Sequence, residues 1–70
     1  MNTTITGKEA LYIRRDQLTE DIRILVSRLQ NAAIRREESL MVEIANDLAD
    51  CVEEKKLIMS ELIRLGRKNN

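Results

Sequence analysis

Apolar residues recur along this chain in two stripes at helical spacing, and no proline interrupts either of them. The first stripe is Leu11, Leu18, Ile22, Leu25 and Leu29, which falls within one narrow sector of a 3.6-residue wheel. From Leu18 onward its steps alternate between four and three, the seam pattern of helices packed side by side. Arg15 stands on the same line, where its stem can pack while its head reaches water. The second stripe is Met41, Ile44, Leu48, Val52, Met59 and Leu62, widened by Ala45, Cys51, Ile58 and Leu65 and interrupted at its centre by Lys55. Such width suits a helix that contacts two neighbours, as in a four-helix bundle.

The first helix is expected from about Gly7 to about Ala33, opened by the capping box Thr6-Gly7-Lys8-Glu9. Carried forward, its seam would run through Arg36, Ser39, Glu43, Asn46 and Asp50, a set that cannot form a core. A turn over about 34–39, with Ser39 or a neighbour as cap, removes the mismatch. The second helix then covers about 40–65 and ends at Gly66, a residue free to take the left-handed conformation. Two helices of matched length, roughly 40 Å each at 1.5 Å per residue, predict an all-α, antiparallel, coiled-coil-like hairpin. Residues 1–6 are expected to be a flexible start and 67–70 a polar tail to a single domain over 7–66.

Composition adds a reason to expect assembly. Tyr12 is the only aromatic residue among 70, so the large rings that usually fill a small core are missing. Two helices side by side also bury little, and the expected remedy is oligomerisation, as a homodimer forming a four-helix bundle, or docking on a partner. Charged residues are 34% of the chain and hydrophobic ones 43%, too apolar for a disordered tail and too charged for a membrane protein. The start of the chain has neither the basic segment nor the apolar core of a secretory signal, which makes the cytoplasm the expected location.

Candidate chemistry is sparse. Histidine is absent and Cys51 is the single cysteine, so neither a zinc site nor a histidine-based catalytic dyad can be assembled. No cofactor is expected, and Cys51 on the apolar stripe reads as a structural thiol. Twelve basic residues balance twelve acidic ones, which argues against a nucleic-acid protein in bulk but leaves room for a local patch. Lys8, Arg14, Arg15, Arg64, Arg67 and Lys68 would gather at the open end of a hairpin, where they could meet an anion or an acidic partner. Glu43, Asp47, Asp50 and Glu54 form an acidic line on the second helix. Ile13, Ile24 and Leu57 lie off the stripes and hint at a further contact surface.

The function expected from these features is a non-enzymatic protein-interaction module. It would be a regulator, inhibitor or adaptor whose partners are a second copy of itself and another protein. The seam residues, Lys55 included, would carry the association. In layout the chain resembles the plasmid-encoded RNA-binding Rop hairpin, itself about this long and a four-helix bundle as a dimer. That resemblance implies the alternative, in which a dimeric hairpin binds RNA or a phosphorylated small ligand through its basic end. Arg15, Asp21 and Arg28 on a long first helix are also similar in kind to residues of the all-helical chorismate mutases. Those enzymes need a third helix and more active-site residues than this chain has room for, so no enzyme is expected.

Overall fold

A computed structural model describes the backbone of residues 7–68 and side chains through residue 66. Two helices account for it: α1, Gly7–Arg35, and α2, Glu38–Lys68, packed against each other as an antiparallel hairpin. No strand occurs among the described residues. The capping box at Thr6 lies outside the described residues.

The turn is shorter than the sequence suggests, and hydrogen bonds explain how. Arg36 N–H donates to Ala33 O at 3.1 Å, and Glu37 N–H donates to Ala32 O at 3.0 Å. These nested bonds are a Schellman motif, which satisfies the last carbonyls of α1 and reverses the chain at once. The motif needs a left-handed residue, and Arg36 supplies it at φ 60°. Glu37 O then accepts from Met41 N–H at 2.9 Å, so Glu37 is the N-cap of α2 and Ser39 lies inside the helix.

Gly66 behaves differently from the expectation that it ends α2. The helix continues through Lys68, and no described glycine has a positive φ. Glycine permits the left-handed conformation without requiring it, and here Arg67 and Lys68 extend the helix instead.

Between the helices runs a seam that repeats every seven residues. On α1 it is Leu11, Arg15, Leu18, Ile22, Leu25, Leu29 and Ala32; on α2 it is Met41, Ile44, Leu48, Cys51, Lys55, Ile58, Leu62 and Leu65. All are buried or half-buried, and Leu18, at 1% exposure, is the most enclosed side chain. Alternating steps of three and four keep each row facing its partner along the whole hairpin.

Candidate interaction surfaces

Each helix carries one row of residues immediately before the seam and one immediately after it. Antiparallel packing sends the two "before" rows to one flank of the hairpin and the two "after" rows to the other. Arg14 and Glu54, both "before" residues, are bonded across the helices and confirm that arrangement.

The first flank is charged. Its rows are Arg14, Asp21, Arg28 and Arg35 on α1 and Leu40, Asp47, Glu54 and Glu61 on α2, with Leu40 the only uncharged member. Arg14 grips Glu54 with two bonds, Nε to Oε2 at 2.7 Å and Nη2 to Oε1 at 3.1 Å. That guanidinium holds the Glu54 carboxyl below the usual carboxylate range. Two shallow hollows follow along the same flank. One, of about 280 Å³, is lined by Asp21, Ile24, Leu25, Arg28, Asp47 and Cys51. The other, of about 270 Å³ beside the turn, has Arg28, Asn31 and Arg35 on one wall and Glu37, Leu40 and Ile44 on the other. Burial, and then the carboxylates of Asp21 and Glu54, push the Cys51 thiol above its ordinary value and leave it protonated at neutral pH.

The second flank carries no charge in its rows. They are Tyr12, Thr19, Val26 and Ala33 on α1 and Ala45, Val52, Met59 and Gly66 on α2. On its α2 shoulder stand Val42, Ala49, Lys56 and Ile63, so apolar character spreads outward over that helix. Eleven large apolar side chains of the described residues are exposed, against four buried apolar residues. Six of the eleven, Tyr12, Val26, Val42, Val52, Met59 and Ile63, belong to this one flank. Large exposed apolar side chains are thus concentrated on this flank of the described residues.

The seam residues expected from sequence are brought together, with two exceptions. Val52 and Met59, 50% and 39% exposed, stand beside the seam on the uncharged flank, while Cys51 and Ile58 fill the positions between the helices. Lys55 is half-buried within the seam, one residue from Glu54. Arg15, in the seam row of α1, turns its head outward, donating to Asp16 at 3.0 Å and lying 5.0 Å from the Tyr12 ring centroid.

Among the described basic residues, Arg14 and Arg64 are not side by side. Arg14 sits level with Glu54, which is ten residues, or roughly 15 Å of helix, from Arg64. Arg14, Arg15 and Arg64 each bond a carboxylate, that of Glu54, Asp16 and Glu61 respectively. Lys8 is exposed at the start of α1, and the side chains of Arg67 and Lys68 lie outside the described residues. Of the acidic line, Asp47 and Glu54 border the seam while Glu43 and Asp50 face outward. Ile13, Ile24 and Leu57 are exposed, and Ile24 lines one of the hollows. No helix of the described residues is long and apolar enough to cross a membrane, and no cluster of metal-binding side chains occurs among them. The chain matches no protein-family model, no curated protein and no solved structure.

Proposed function

We propose that this chain is a non-enzymatic protein-interaction module: a helical hairpin that self-associates into a four-helix bundle and regulates, inhibits or tethers another protein. The observation that carries the reading is the contrast between its flanks. One flank is closed by charged side chains that keep water company. The other presents an uncharged strip along the length of the hairpin, which a second pair of helices can cover. Self-association buries that strip and leaves the charged flank and its hollows outward, where a further protein can be met. Zero formal net charge places no electrostatic barrier between copies.

The anion-binding alternative draws less support. A phosphate or RNA strand at Arg14, Arg15 or Arg64 would have to displace the carboxylate each one already holds. Light scattering over a tenfold concentration range tests the proposal directly. A constant mass of twice 8.1 kDa is expected, and a helical monomer at every concentration would overturn self-association.

A further inference from the structure

Resting on that reading of self-association, we propose that the occupant of the uncharged flank is a second copy of this chain turned end for end. In this dimer α1 lies over α1 of the other copy and α2 over α2. Three features of the flank lead there.

The first is area. A face two helices wide and some 29 residues long measures about 20 Å by 40 Å, or roughly 800 Å². That is about what each partner contributes to a standard interface.

Shape is the second. Apart from Gly66 at its outer tip, the strip is bulkier toward the open end, with Tyr12 and Met59, and small toward the turn, with Ala33 and Ala45. A copy pointing the same way would set bulk against bulk and leave a gap at the turns. Reversal sets each bulky end against a small one, which is the interdigitation that close packing requires.

The third is the character of the two shoulders. Beside the strip, α1 carries Glu9, Asp16, Arg23 and Gln30, whereas α2 carries Val42, Ala49, Lys56 and Ile63. A same-direction dimer lays α1 over α2 and presses the charged shoulder onto the apolar one. The reversed dimer lays like on like. The order along α1 changes from acid to base, so reversal carries Asp16, which Arg15 of its own chain also contacts, toward the partner's Arg23, which also holds Glu20 of its own chain. On α2 it carries Val42, 60% exposed, onto the partner's Ile63 in place of water.

Val42 and Ile63 provide the test, because they cannot meet within one chain. They lie 21 residues apart on one helix, roughly 30 Å. Sedimentation equilibrium would compare the natural chain with V42K, I63E and the V42K/I63E double variant. Each single variant is expected to weaken the dimer about tenfold or more, by placing a charge against an apolar side chain, and the double variant to recover much of the loss. Circular dichroism should show the same helicity in all four, since both positions are exposed in the hairpin. A natural dimer that the single variants leave intact, or that the double variant does not restore, would overturn the reversed arrangement while self-association stands. A natural chain that sediments as a monomer would overturn both.

Discussion

Arg14 and Glu54, forty residues apart in sequence, are joined across the two helices by a forked pair of hydrogen bonds. Both side chains remain close to half exposed, so the bridge contributes little to stability. Its pH dependence has a definite sign. The carboxyl of Glu54 is held below its ordinary value by Arg14, as that of Glu20 is by Arg23. Groups depressed in this way stabilise the fold above their unfolded value near pH 4.5 and lose that contribution as pH falls through the lower folded value. Thermal melts between pH 7 and pH 3 should therefore show a modest fall in melting temperature, smaller in E54Q. An acid dependence identical in E54Q would mean that the bridge does not form in solution.

The turn and the far end of α2 hold their residues in an unfavourable order. Arg36 adopts φ 60°, a region costing a side-chain-bearing residue about 1 kcal/mol, while Gly66 sits in helical geometry with open space where a Cβ would go. R36G and G66A are each expected to stabilise the hairpin by about 0.5–1 kcal/mol. Calorimetry should register each as a rise of a few degrees. A drop in R36G would show that the arginine side chain contributes more than its backbone costs.

Leu18 anchors the seam. Truncating it leaves a void against α2 with little room to relax, so L18A should cost about 2–4 kcal/mol and reduce helicity at 37 °C. L25D should go further and abolish both helicity and assembly, because an ionised carboxylate would enter the seam. Circular dichroism and native mass unchanged in L25D would remove the seam from the account.

Lys55 interrupts the seam where a leucine would pack. K55L is expected to raise the melting temperature and to broaden the range of oligomers seen by native mass spectrometry, since a polar seam residue restricts the pairings a helix can make. A lower melting temperature would reveal a contact of the ammonium group that the replacement destroys.

Cys51 offers a readout of hairpin opening. Its thiol is pushed above the ordinary range and lies half-buried in the seam. Alkylation at pH 7.5 should be much slower than for a free cysteine and become rapid in denaturant. Equal rates in the two conditions would indicate that the seam at this level is open.

Much of the hairpin is legible in the residues themselves. Steps of three and four from Leu18 to Leu29 define the buried face of α1, and the failure of that line beyond Ala33 forces a reversal, because a seam through Arg36, Glu43 and Asp50 would bury unpaired charge. What tertiary structure decided lies where the pattern admits two answers. On α2 the pairs Ile44 and Ala45, Cys51 and Val52, and Ile58 and Met59 are adjacent apolar residues, and periodicity alone cannot rank them. Packing against α1 puts the first of each pair in the seam and leaves the second on the flank. The turn shows the same division: sequence requires one, but no glycine or proline marks it, and only closure of the Schellman bonds selects Arg36 as the left-handed residue. One-dimensional spacing fixes which face of a helix is apolar. Which of two neighbouring rows is buried depends on where the other helix lies, and that is a property of the folded chain.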